Sequence, residues 1–291
     1  DSVRFGARKL GLAVGTINVG TQAALADAAL RNALPGGLTL NQQVIERLLR
    51  GDAASGAPAL EELSLSASQS IGFYGDVELN TLDAATGRST LDRLVLGAPA
   101  FYGAGAADER AVIRTGSLVW TNLTGTPGAI VAGGAGTGLG KLDVYADTIV
   151  FGPGPNTTTD KLDDQQRMTL GFTDVTLTAA ERITGDLKGG MSVYQSRGAY
   201  VEGSGFSYSG GNLNVVAPLW TGEAGSVQNI TAGGTLRYTG QPAVSGNADG
   251  SLDLGAELAL AGQQVVLDGT MRLPSGKLTV RAEQDLTLGA N

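Results

Sequence analysis

From about Leu60 to Asn291, apolar and polar residues alternate almost without interruption, broken every few residues by Gly or Asn. A period of two is the signature of strands with one buried face. Within this pattern one phrase returns: an apolar residue, a spacer, Ala, two or three spacers, and another apolar residue. It occurs at Leu65-x-Ala67 with Ile71 and Phe73, at Leu96-x-Ala98 with Phe101, and at Val144-x-Ala146 with Ile149 and Phe151. Further copies are Leu177-x-Ala179 with Ile183, Val215-x-Ala217 with Trp220, and Val280-x-Ala282 with Leu286 and Leu288, plus a weaker one at Leu254-x-Ala256. Short strands with a small residue at a recurring inward place predict an all-β fold, a right-handed parallel β-helix (solenoid). Its walls bend at the Ala positions, where a larger side chain has no room. At roughly 20–45 residues per repeat, the body holds about seven to ten coils. An antiparallel sandwich or barrel also alternates. The phrase recurs in one orientation, however, which antiparallel pairing gives no reason for.

Residues 1–59 read differently and form a small N-terminal strand and two-helix element, an expected cap for the body at 60–291. Thr16–Val19 predicts a strand. Thr21–Ala33 is rich in helix formers and is stopped by Pro35-Gly36-Gly37. In the second helix Thr39 and Gln42 have capping-box spacing, and Leu40, Val44, Ile45, Leu48 and Leu49 share a face. Glu46 and Arg50 are an i,i+4 pair, and Gly51 stands at the C′ position. The last phrase, Gly276 to Leu288, ends without a cap. The expectation is a segment of a longer chain, with coils beyond Asn291 and sequence before Asp1.

Composition narrows the chemistry. The chain has 291 residues, 45 of them Gly, and no Cys or His. Without His the commonest general base and transition-metal ligand are missing. Without Cys there is no disulfide, thiolate nucleophile or zinc knuckle. Neither a metal nor another cofactor is expected. The formal charge of −8, with Lys and Arg scattered singly, argues against nucleic acid and anionic membranes as partners. No apolar run approaches the ~18 residues of a membrane span, so membrane insertion is not expected. Arg8 and Lys9 precede only a short, Gly-broken apolar stretch, which does not read as a signal peptide.

The segments Leu63–Gly75, Leu91–Ala100, Gly116–Asn122, Gly138–Asp143 and Ala146–Gly152 carry a resemblance. The more particular strings are Phe73-Tyr74-Gly75 and Leu118-Val119-Trp120-Thr121-Asn122. Together they resemble an internal segment of the filamentous-haemagglutinin-type exoproteins of Gram-negative bacteria, the secreted partners of two-partner secretion systems. The likeness runs from about Leu38 to the end. It implies a β-helical shaft, exported through an outer-membrane transporter that other parts of the full chain address, and displayed on or shed from the cell surface. The roles it implies are cell adhesion, biofilm-matrix assembly and virulence. It assigns no catalytic residue here, and no enzymatic activity is expected.

Several motifs invite chemistry. Arg50-Gly51-Asp52 has the integrin-docking sequence, but Gly-rich chains supply it by chance and Gly51 has a helix-ending role. Asp163-Asp164, with Asp160 nearby, has the composition of a glycosidase carboxylate pair. Neighbouring strand residues point to opposite faces, so the pair needs a loop, which Pro153 to Asp164 predicts, and no His accompanies it. A solvated turn accounts for it better, with a β-helical polysaccharide-active enzyme kept as the alternative. Gly133 to Gly140 fits neither the dinucleotide nor the phosphate-loop spacing, and Leu142 follows Lys141 where Ser or Thr is required. A flexible insertion between coils explains that run. Exposed aromatic rings are platforms for stacking sugars. Trp120 and Trp220 read as core among apolar neighbours, with Tyr74, Tyr102 and Tyr145 as further aromatic candidates. Tyr194, Tyr200 and Tyr208, in a Gly- and Ser-rich stretch, are the expected ligand-binding residues. The partner is then a carbohydrate (exopolysaccharide or host glycan) or a host cell receptor. A passive shaft, or the stalk of a contact-dependent toxin, is the remaining alternative.

Overall fold

The computed structural model describes residues 7–50, 56, 58–122, 125–153, 164–243 and 253–289. Eighteen strands form one sheet in which every pairing between strands is parallel. The only antiparallel strand pair described is a small hairpin, β13 (Ser196–Val201) with β14 (Gly205–Ser209). An antiparallel sandwich or barrel is therefore excluded for the body.

The pairings sort into three ladders. The first stacks β1 (Lys9–Gly20), β3 (Glu62–Tyr74), β5 (Arg93–Gly97), β8 (Ser117–Thr121), β9 (Gly140–Phe151), β11 (Phe172–Gly185) and β16 (Trp220–Gly222). Its inward column reads Leu10, Leu63, Leu94, Leu118, Ile149, Ile183, Trp220, buried throughout except for the half-buried Leu10. The second contains β2 (Leu38–Leu40), the later halves of β1 and β3, β6 (Ala100–Gly103), β10 (Gln165–Leu170), β12 (Lys188–Tyr194) and β17 (Val227–Ala232). It ends on the first halves of β19 (Glu257–Asp268) and β20 (Lys277–Leu288). The third holds β4 (Val77–Asn80), β7 (Arg110–Arg114), the first halves of β9 and β11, β15 (Asn212–Val216), β18 (Thr235–Thr239) and the later halves of β19 and β20. Its column Val77, Ala111, Leu142, Val175, Leu213, Leu236, Val265, Leu286 is again apolar throughout. Because side chains alternate faces with period two, each ladder sends such columns into one shared interior.

The chain visits the ladders in fixed rotation. From β3 to β8 it passes first, second, third, first, second, third, first. Six long strands (β1, β3, β9, β11, β19, β20) turn a corner and serve two ladders each, so hydrogen bonding continues around the molecule. The repeated Ala stands at those corners. Ala67 and Ala98 mark the passage from first to second ladder, Ala256 the entry of β19 into the second, Ala146, Ala179 and Ala217 the passage from third to first, and Ala282 that from second to third. Their irregular spacing follows, since one phrase labels three different corners. All but Ala282 are buried.

From β3 to β19 two rungs are missing among the described residues. Between β8 and β9 no strand enters the second ladder, so β6 pairs directly with β10. Between β18 and β19 none enters the first, and Trp220 bridges to Met271. At the first gap aromatic rings fill the interior: Trp120 stacks on Phe101 with centroids 4.2 Å apart, and Phe73 and Phe151 flank them. Both tryptophans are buried, as their neighbours predicted.

The front end differs from expectation in four details. The strand expected at Thr16–Val19 runs from Lys9 to Gly20 and pairs along its length with β3. The first helix, α1, spans only Gln22–Leu30, capped by Thr21, whose Oγ1 accepts from Ala24 N at 3.2 Å. It does not close the end. Leu25 and Ala28 pack on the outside of the second ladder, against Tyr74 and Tyr102. The second helix, α2 (Gln42–Arg50), does cover the end, burying Ile45 and Leu49 in the main core. Its cap is Asn41, whose Oδ1 accepts from Val44 N at 3.0 Å. Thr39 is instead in β2, which pairs with β1: the strand claimed the residue that the spacing had assigned to a capping box. The other end is open, with Leu278, Leu286 and Leu288 of β20 exposed by 45%, 49% and 67%.

Candidate functional site

The hairpin β13–β14 interrupts the rotation between β12 and β15, where the chain turns from the second to the third ladder. It pairs Ser196 with Ser209 and Tyr200 with Phe206, and contributes no rung to the ladders. At its tip Ser204 N donates to Val201 O at 3.0 Å, and Gly203 and Gly205 take φ of +78° and +77°. Only Gly adopts such angles without strain. The stretch expected to be exposed is therefore the one that leaves the wall.

Its aromatic residues, together with Tyr194 at the end of β12, form two layers. Outermost, Tyr200 (64% exposed) and Phe206 (41%) meet edge to face at 5.2 Å. The guanidinium carbon of Arg197 lies 4.1 Å from the Phe206 centroid. Nearer the wall, Tyr208 stacks on Tyr194 with centroids 5.0 Å and planes 26° apart. Tyr194 faces the wall at Gly233, where an added Cβ would come within 2.8 Å of the Tyr194 ring. That absent side chain opens a cleft of about 250 Å³ beside the two rings, lined also by Gly262, Gln263, Arg281 and Glu283. Drug-sized pockets run from about 300 to 1,000 Å³, so this one suits a single ring with polar substituents. Its apolar floor and flanking amide, guanidinium and carboxylate match the two faces of a sugar: C–H groups against rings, hydroxyls to polar partners.

Tyr200 and Tyr208 stand on the projecting hairpin, whereas Tyr194 ends β12 in the wall and meets them only through its stack on Tyr208. Arg197 and Phe206, absent from the expected set, belong with them. Their strand pairing in a hairpin was the missing signal, since neither residue is unusual alone. Tyr74 and Tyr102 continue the row of rings along the outer face but are closed off. Tyr102 Oη donates to Gly128 O at 2.9 Å, and both phenols are pushed up to about 12 by burial. Arg197 opposes that shift at Tyr102 and Tyr208 reinforces it. The cover is α1 together with the Gly133–Gly140 run. This run does not hang free: Gly136 N and Gly138 N both donate to Gly103 O, at 2.8 and 3.0 Å. Backbones approach so closely there that an added Cβ on Gly138 would stand 2.8 Å from Gly103 O. Tyr145 lies apart on the third ladder under the Arg114 guanidinium, 4.3 Å away.

Gly51 and Asp52 of the Arg50-Gly51-Asp52 motif lie outside the described residues, while Arg50 pairs with Glu46 at 3.0 Å. Asp160 and Asp163 also lie outside them. Asp164 accepts from Gln166 Nε2 at 2.8 Å and faces Lys188 at 4.0 Å. Among the described residues no three acidic side chains group as metal ligands, and no helix is long and apolar enough to cross a membrane.

Comparison with known proteins brings no relative. No family model, curated protein or solved structure matches this chain.

Proposed function

We propose that this chain is a segment of a secreted bacterial surface adhesin or biofilm-matrix exoprotein of the filamentous-haemagglutinin type. In this reading the three ladders are the walls of a right-handed parallel β-helix, the hand favoured for parallel crossovers. The fixed rotation of the chain and the one-coil offsets between paired strands support it. The shaft works by geometry: it holds side contacts away from the cell, and many weak contacts on one scaffold gain avidity.

The observation that carries a binding role is the Tyr200–Phe206 pair above the Tyr194–Tyr208 cleft. Two large exposed rings on a hairpin that supports no ladder are difficult to explain by stability alone. The ligand class is carbohydrate, with rings stacking on the aromatic faces and hydroxyls meeting Arg281, Glu283 and Gln263. A glycan array with host glycans and bacterial exopolysaccharides tests it. Saturable binding by residues 1–291 is expected, weakened at least tenfold in Tyr200→Ala and in Tyr208→Ala while the far-UV spectrum is unchanged. An array that stays blank, or binding unchanged in both variants, refutes the aromatic site and leaves a passive shaft.

A further inference from the structure

The inward positions of β10 break the apolar rule of the interior. Arg167 stands in a column with Met191, Ile230, Leu260 and Val280, and Thr169 in one with Phe101, Val193 and Ala232. Gln165 occupies the next inward place on the same strand. All three are buried, Arg167 to 2% exposure. Among the described residues no carboxylate contacts the Arg167 guanidinium. It donates to Gln165 O and Gln165 Oε1, both at 2.9 Å, and weakly to Gly190 O at 3.5 Å. Asp164 is turned to Gln166 and Lys188 and acts on the guanidinium only at a distance.

Four buried polar atoms in this neighbourhood have no hydrogen-bond partner: Arg167 Nε, Gln165 Nε2, Trp120 Nε1 and Thr169 Oγ1. The amide orientation of Gln165 is fixed, because its Oε1 accepts from Thr121 Oγ1 at 3.2 Å as well as from Arg167. Trp120 and Arg167 both face Phe151, at 6.0 and 5.9 Å. The cluster borders the level at which the second ladder lacks a rung. Burial without a partner is costly for one donor and more so for a cation. Here it drives the guanidinium down to about 9.

We propose that this interior holds a small monovalent anion of the halide class, bound by Arg167 and Gln165 with the Trp120 indole beside them. Three of the four orphans can only donate, and the Thr169 hydroxyl is free to donate as well. A water would meet them with one oxygen and bring no charge to balance the cation. A halide accepts several N–H bonds and neutralises the guanidinium at once.

The test uses the whole chain. Its thermal midpoint is followed as bromide replaces gluconate at constant ionic strength, in the parent and in Arg167→Met. The parent is expected to rise saturably, by about 5–10 °C at a hundredfold excess over Kd, and the variant to stay flat. Crystals grown in bromide are expected to give an anomalous peak within hydrogen-bond reach of Arg167 Nε, which decides the matter should Arg167→Met not fold. A flat parent, an equal rise in both proteins, or density at the site without anomalous signal overturns the proposal.

Discussion

Replacing Ala179 with Leu tests the corner argument, with Ala282→Leu as its internal control. Ala179 has no exposed surface and sits where β11 turns from the third ladder to the first, between Ala146 on the strand before and the Ala217 turn after. Leu adds three carbons. If the corner yielded, burying them would stabilise by about 0.8 kcal/mol each, roughly 2 kcal/mol in all. If the corner is closed, overpacking costs about 1–3 kcal/mol. The two accounts differ in sign. Rungs above and below prevent the wall from opening, so the cost is expected. Near a midpoint shift of about 2–4 °C per kcal/mol, Ala179→Leu lowers the thermal midpoint by roughly 2–12 °C. Ala282 belongs to the same phrase but to the last strand, half-buried with no described rung above it. There the added carbons have space, and a change within about 0.5 kcal/mol is expected, as at other open positions. Circular dichroism near 218 nm, followed through heating, measures both variants against the parent. Equal shifts, or a rise for Ala179→Leu, would refute the idea that Ala is required by the bend.

Three other outcomes follow from the same structure. Asp147 has its carboxyl raised by burial and by the neighbouring Glu181 charge. A raised folded-state pKa means that the ionised form opposes folding, a cost absent at low pH and fully present above the folded pKa. Asp147→Asn should therefore raise the thermal midpoint at pH 7 and leave it unchanged near pH 3; the reverse pattern would count against the shift. Asn41→Ala removes the side-chain cap of α2 and should cost about 1 kcal/mol by chemical denaturation, whereas Thr39→Ala, with no capping role, should not match it. Leu286→Lys/Leu288→Lys places charge on the open apolar end and should reduce self-association in light scattering; an unchanged particle size would show that this end does not drive association.

Much of the fold is written locally. The period of two sets which side of each strand is buried, so columns such as Val77 to Leu286 can be read residue by residue. Small Ala among large apolar residues marks the bends, because a corner brings two walls too close for anything longer. Turn-forming Gly and Ser around Tyr200 and Tyr208 likewise mark a stretch that leaves the wall, although the same pattern includes Tyr194, which stays in it at the end of β12. What the pattern does not contain is which strand lies beside which. Paired residues are separated by anything from 20 positions (Glu257 and Lys277) to 68 (Ala100 and Met168), and a parallel ladder accepts any strand with the right face. Only tertiary stacking decided that one phrase labels three corners, that two rungs are skipped, and that α1 lies on the outer wall over Tyr74 and Tyr102. It also decided that Gln165, Arg167 and Thr169 point inward together. Alternation alone assigns polar residues to the outside, and it takes the neighbouring strands to place those three in an apolar column.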